Sequence, residues 1–182
     1  ALMNGPCVQS FEQKAAKIFG KKYGLMVNSG SSANLLALAA FDFKKDSEII
    51  TPSLTFATTI APIYQVNCIP YFIDVVDRKY IANISQIESC INKKTVAIMV
   101  PNLLGNIADW KKIFNLAKKY NLKKIEDSAD TIGYSFNGTN SSEYNHDLPF
   151  EIKNFKKKNF DIYRNLGYKI KFSSEEEMIE NM

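Results

Sequence analysis

Between Phe11 and Glu126 the apolar positions change period again and again. Phe11, Ala15, Ile18 and Phe19 recur at helical spacing, and Gly20 ends the run. Ser10 and Gln13 stand in the Ser-x-x-Gln arrangement of a capping box, which predicts a helix starting at Ser10. Tyr23 to Val27 reads as a short buried strand, and Asn28-Ser29-Gly30-Ser31-Ser32 as a turn of small residues. Ala33 to Phe41, rich in Ala and Leu, is a good helix former. The alternation then repeats: strand over Glu48 to Thr51, helix over Phe56 to Gln65, strand over Ile69 to Val75, helix over Ser85 to Ile91. Thr95 to Val100 is a strand, Ala108 to Tyr120 a helix and Lys123 to Glu126 a strand. Pro62 marks either the first turn of its helix or a kink. Strands alternating with helices in this way predict an α/β fold, a mostly parallel sheet covered by helices on both faces. No internal repeat is visible.

The pattern breaks near Asn137. From there to Pro149 the chain is polar and rich in turn formers. Residues 150–182 carry Lys156-Lys157-Lys158 and Glu175-Glu176-Glu177 with few periodic signals, although Ser174 could cap a last helix over Ser173 to Met178. The expected organisation is one α/β unit over residues 1–138 and a polar linker with a C-terminal segment of undetermined fold over residues 139–182.

Composition narrows the function classes. With 46% hydrophobic and 23% charged residues among 182, the chain is ordinary for a globular domain and unlike a disordered or collagen-like one. A net charge of +4 spread thinly argues against a nucleic-acid surface, which wants a clustered basic face. No apolar run approaches the ~18 residues of a membrane span, and no signal peptide is visible. Cys7, Cys68 and Cys90 lack metal-type spacing and read as reduced thiols of a cytoplasmic protein. Glycosylation-type triplets at Asn83, Asn137 and Asn140 are then chance matches.

Four segments can carry chemistry, each at a strand-to-helix junction or strand end. In Ser29-Gly30-Ser31-Ser32-Ala33-Asn34, glycine permits close approach and the helix amides favour an anion, so the segment suits a phosphate; an ordinary serine-capped helix start is the other reading. In Glu126-Asp127-Ser128-Ala129-Asp130, a carboxylate at a strand's carboxyl end can pair with a cationic ring nitrogen; solvated loop acids are the other reading. In Thr55-Phe56-Ala57-Thr58-Thr59, Phe56 can stack on a planar ring or sit in the core. In Asn102-Leu103-Leu104-Gly105-Asn106, Asn106 can bind a ligand or cap the helix that follows, and capping is the preferred reading. No Gly-x-Gly-x-x-Gly follows a strand, which disfavours a dinucleotide site.

Taken together, these segments resemble the large domain of the DegT/DnrJ/EryC1/StrS sugar-nucleotide aminotransferase family, pyridoxal-phosphate enzymes of the aspartate-aminotransferase fold (fold type I). The resemblance runs from about Phe11 to Gly138. It rests on Phe11-Glu12 with Phe19-Gly20, Val27 to Leu35, Ile50-Thr51-Pro52 and Glu126-Asp127-Ser128. It implies that Gly30 and Ser31 hold the phosphate of pyridoxal 5'-phosphate or pyridoxamine 5'-phosphate, that Phe56 stacks on the ring and that Asp127 pairs with the ring nitrogen. It implies a nucleotide-linked sugar as substrate and a homodimer, in the cytoplasm, with no nucleic-acid or membrane partner.

Asp130 stands where many members have Gln, and Leu104-Gly105-Asn106 where many have Tyr-Gly. Both features, with Ser31-Ser32-Ala33-Asn34-Leu35-Leu36 and Pro62-Ile63-Tyr64-Gln65, look more like the 3-dehydratase branch, which removes the 3-hydroxyl of a nucleotide-linked 4-keto-6-deoxyhexose in deoxysugar and O-antigen biosynthesis. Asp130 is therefore carried over as a further cofactor-binding position. In that branch a histidine replaces the cofactor-binding lysine, and an iron–sulfur reductase is an implied partner. Sugar transamination is the alternative. The segment bearing the catalytic Lys or His is not found: neither His146 nor Lys156 has the expected neighbours. Family members are about twice as long, so the expectations for this chain are a fragment, a frameshifted product, or a short relative with a partial site that serves as a binding or assembly module.

Overall fold

The computed structural model describes residues 5–131 and, beyond them, the backbone of three two-residue strands at 135–136, 139–140 and 151–152. Helix α1 (Pro6–Ile18) precedes β1 (Gly24–Leu25) and α2 (Gly30–Ala39). Then come β2 (Glu48–Pro52), α3 (Ala57–Gln65), β3 (Ile69–Ile73), α4 (Ile87–Cys90), β4 (Thr95–Pro101), α5 (Trp110–Tyr120) and β5 (Lys123–Asp127). Strands β2 to β5 form one sheet in the order β3-β2-β4-β5, with every pair parallel. The chain steps outward from β2 to β3, then returns past β2 to β4, so the strand order reverses between β2 and β4.

Both faces of this sheet are covered, as parallel strands require. Ile50, Ile98 and Val100 point to one face and pack with Ile87, Trp110, Ile113 and Ala117 from α4 and α5. Ile49, Ala97, Met99 and Ile125 point to the other and pack with Ala37, Leu38 and Ile63 from α2 and α3. The α/β expectation holds, with each strand within a residue or two of its predicted span.

Three helix starts differ from expectation for identifiable reasons. α1 begins at Pro6, whose fixed φ and missing N–H suit a first helical position, and Gly5 is its cap. Ser10 is therefore inside the helix and no capping box forms. Gly20 (φ 60) does end α1: Gly20 N–H bonds Lys17 O and Lys21 N–H bonds Ala16 O, closing the last turn. α2 begins at Gly30 instead of Ala33, because Ser29 caps it by accepting from Ser32 N–H. α5 is capped by Asp109, whose carboxylate accepts from Lys112 N–H at 3.1 Å. Asn106 does not cap it; its amide donates to Leu103 O at 3.0 Å. Pro62 lies in the interior of α3, beyond the first turn.

Glu12 ties α1 to β1, its Oε1 accepting from Met26 N–H at 2.8 Å. Here the backbones come close: a Cβ on Gly24 would meet Glu12 O at 2.6 Å, so glycine is required. On the outer surface, hydrogen bonds from Lys119 and then Tyr120 hold the exposed Glu88 carboxyl below the ordinary glutamate range. Any stability this gives is present at neutral pH and lost as pH falls through the folded-state value. No described helix is long and apolar enough to cross a membrane.

The thiols differ in environment. Burial, and secondarily the Asp46 charge, raise the Cys68 pKa, whereas Cys7 is exposed. A maleimide is expected to label Cys7 within minutes and Cys68 only on unfolding, read by intact mass and peptide mapping.

Candidate cofactor site

A cavity of about 270 Å³ opens at the carboxyl ends of the strands, on the side of the sheet covered by α2 and α3. Its walls include Gly30, Ser31, Asn34, Phe56, Thr59 and Asp127. This is the kind of crevice that an open parallel sheet offers outside the carboxyl ends of its strands, here those of β4 and β5.

The chain brings each wall there by a local rule. Ser29 ends an extended segment and its Oγ takes the Ser32 amide at 3.2 Å, starting α2. The helix start directs the amides of Gly30 and Ser31 outward, where the helix dipole favours an anion. Both residues line the cavity. Phe56 is the N-cap of α3 and is 70% exposed, which overturns the alternative of a core phenylalanine.

Asp127 closes β5. Its Oδ2 accepts from Asn34 Nδ2 at 2.9 Å and from Thr59 Oγ1 at 3.0 Å. Among the described residues, its Oδ1 accepts only from Ala129 N–H, at 3.3 Å. A carboxylate offers about four acceptor positions, so the less engaged oxygen keeps capacity for a ligand N–H. The alternative of solvated loop acids does not describe Asp127, which is half-buried and held by three donors. Asp130 is more exposed and also lines the cavity, yet its Oδ2 accepts from Leu104 N–H at 2.9 Å. That bond holds Leu104 in the left-handed region (φ 55), with Gly105 following at φ 80.

At the cavity wall, Asn102 is 1% exposed, and its side chain is fully engaged with its neighbours. Its Nδ2 donates to Glu126 Oε1 at 2.7 Å and lies 3.4 Å from Ser128 Oγ and 3.3 Å from Thr131 Oγ1. Its Oδ1 accepts from Ala108 N–H at 3.2 Å and Trp110 Nε1 at 3.0 Å. One side chain thus joins the ends of β4 and β5 to the start of α5. His146 and Lys156 lie outside the described residues, as does the predicted helix over 173–178.

This fold is that of the large domain of fold type I, pyridoxal-phosphate-dependent enzymes, in incomplete form. The chain belongs to the DegT/DnrJ/EryC1/StrS aminotransferase family, whose model matches residues 1–149. It is 34% identical over 146 residues to GDP-4-keto-6-deoxy-D-mannose 3-dehydratase of Yersinia pseudotuberculosis, a match covering 77% of this chain and 37% of the relative. It is 35% identical over 134 residues to GDP-perosamine synthase of Escherichia coli O157:H7, covering 74% of this chain and 37% of that one. Among solved structures, a GDP-4-keto-6-deoxymannose-3-dehydratase with a trapped PLP-glutamate geminal diamine superposes with a TM-score of 0.70 at 33% identity, over 74% of this chain and 36% of that one. NtdA of Bacillus subtilis with bound pyridoxamine phosphate gives a TM-score of 0.72 at 27% identity, over 78% and 32%. The chain spans about a third of the length of the curated relatives it matches.

Sequence reasoning placed Gly30, Ser31, Phe56 and Asp127 at strand ends, and the fold gathers them around one cavity. It gave no role to Asn34, Thr59 or Asn102, although all three lie in segments it singled out. No local signal marks a polar residue whose partner is on another element.

Proposed function

We propose that this chain forms the cofactor-binding part of a pyridoxal- or pyridoxamine-phosphate enzyme that removes the 3-hydroxyl of a nucleotide-linked 4-keto-6-deoxyhexose. The carrying observation is the set of walls around one cavity: a helix start at Gly30 and Ser31, an exposed aromatic at Phe56, and a clamped carboxylate at Asp127. This donor set fits the cofactor. Outward amides suit a phosphate dianion, an aromatic face suits a planar ring, and an anionic oxygen with spare capacity suits a ring N–H. Gly30 and Ser31 would hold the phosphate, Phe56 would cover the ring, and Asp127 Oδ1 would keep the ring nitrogen protonated. Bound there, the cofactor supplies an electron sink for carbon chemistry on the sugar.

The names of relatives support the sugar substrate and dehydration. A perosamine synthase at comparable identity supports transamination as the second reading. Homodimer formation and, for dehydration, an iron–sulfur reductase partner complete the proposal. A non-catalytic binding or assembly module is the reading that remains if the cofactor does not bind.

The test is a titration of the purified chain with pyridoxal phosphate, followed by absorbance, borohydride reduction and intact mass. Saturable binding without a covalent adduct is the expected result and supports the dehydratase reading. A specific lysine adduct overturns it in favour of transamination. Absence of binding overturns the cofactor reading.

A further inference from the structure

Asp127 is held chiefly from outside the loop that follows it. Its Oδ2 receives two donors from two different helices, Asn34 on α2 and Thr59 on α3, while Oδ1 has one long contact from its own loop. Both donor residues are buried, Thr59 completely.

Asn34 is itself fixed by an unusual arrangement. Pro62 sits inside α3 and has no N–H, so the Thr58 carbonyl four residues earlier loses its helical partner. Asn34 Nδ2 reaches that carbonyl at 3.4 Å while also donating to Asp127 Oδ2. Both hydrogens of one amide are thereby assigned, one to the helix and one to the carboxylate. The side chain has no reason to rotate away.

Resting on the cofactor reading above, we propose that Asn34 and Thr59 are positioning residues that hold the Asp127 carboxylate with Oδ1 toward the cofactor ring nitrogen, so that the ring keeps its proton. Two donors from two helices keep Oδ2 occupied. They also fix the carboxyl plane, so that Oδ1 is presented to the cavity. Without them the carboxylate turns away and the ring nitrogen loses its anionic partner, which lowers the fraction of protonated ring. Asp130, the other acid on the cavity wall, is already engaged by Leu104 N–H.

The experiment binds pyridoxal phosphate carrying ¹⁵N at the ring nitrogen to the purified chain and reads the ring resonance at fixed pH. In the wild type the protonated pyridinium position is expected. Thr59→Val keeps shape and removes the hydroxyl; the resonance is expected to move toward the unprotonated position, with affinity falling about 10-fold, the worth of one hydrogen bond to a charged group. Asn34→Ala is expected to move it the same way. Thr59→Ser restores a hydroxyl and is expected to restore the wild-type signal, which a purely structural role for Thr59 does not require. A protonated ring in both Thr59→Val and Asn34→Ala at wild-type affinity overturns the inference alone. So does a folded Thr59→Ser that has lost the protonated signal. A wild type with no bound resonance overturns the cofactor reading and this inference with it.

Discussion

Asp127→Asn is expected to weaken pyridoxal phosphate binding by roughly 10- to 100-fold while leaving the fold intact. Asparagine is isosteric with aspartate. The amide oxygen of the new side chain can still accept from Asn34 Nδ2 and Thr59 Oγ1, so the two buried donors are not abandoned. What changes is the group presented to the cavity. An N–H₂ replaces the less engaged Oδ1, and a protonated ring nitrogen then meets a donor instead of an anion. Exchanging a hydrogen bond with a charged partner for a neutral or opposed one costs about 1.5–3 kcal/mol, which gives that loss of affinity. Fluorescence or absorbance titration measures the affinity, and a urea melt checks that the midpoint is unchanged. A variant that binds as tightly as the wild type would show that Asp127 does not meet the ring. A variant that also melts early would assign Asp127 to structure.

The fold was legible because its signal is local and repeated. Ile49 and Ile50, or Ile98 and Met99, are consecutive buried residues whose continuous apolar run marks a strand covered on both faces. Gly20 and Asn121 end their helices in left-handed conformations that their residue types favour. Helix starts were less legible because several residues compete for the cap. Ser10 with Gln13 has the form of a capping box, yet Pro6 opens the helix upstream and carries it through Ser10. The site was half legible. Gly30, Ser31 and Asp127 could be placed because strand-to-helix junctions and strand ends in parallel sheets face ligands. Phe56 was ambiguous, since a phenylalanine beside a strand is as suited to a core as to a wall, and only its exposure decides. Asn34 and Thr59 carried no signal, because their role depends on contacts 93 and 68 residues away along the chain.

Asn102 and Asn106 give the sharpest test of that limit, because they stand in one short segment and look equivalent. The structure makes them unequal. Asn106 is half-buried and makes one side-chain bond, to Leu103 O. Asn102 is buried and serves Trp110 Nε1, Ala108 N–H and Glu126 Oε1 together. Asn102→Ala leaves two buried donors without an acceptor and takes a donor from Glu126, whose Oε2 is already buried without a partner among the described residues. At about 1–3 kcal/mol for each orphaned group, the loss is expected to be about 3–5 kcal/mol, in the upper tail for a single substitution. Asn106→Ala is expected to cost under about 1 kcal/mol, the net worth of one partly exposed hydrogen bond. In urea the first change should lower the midpoint by roughly 2 M and the second by less than about 0.5 M, followed by circular dichroism. Equal, small effects would mean that water replaces the Asn102 side chain and that the ends of β4 and β5 are held by their ladder alone. Unequal effects in the stated order would make Asn102 the anchor of the strand end that carries Asp127. Loss of pyridoxal phosphate affinity should then track loss of stability in Asn102→Ala, whereas in Asp127→Asn the two should separate.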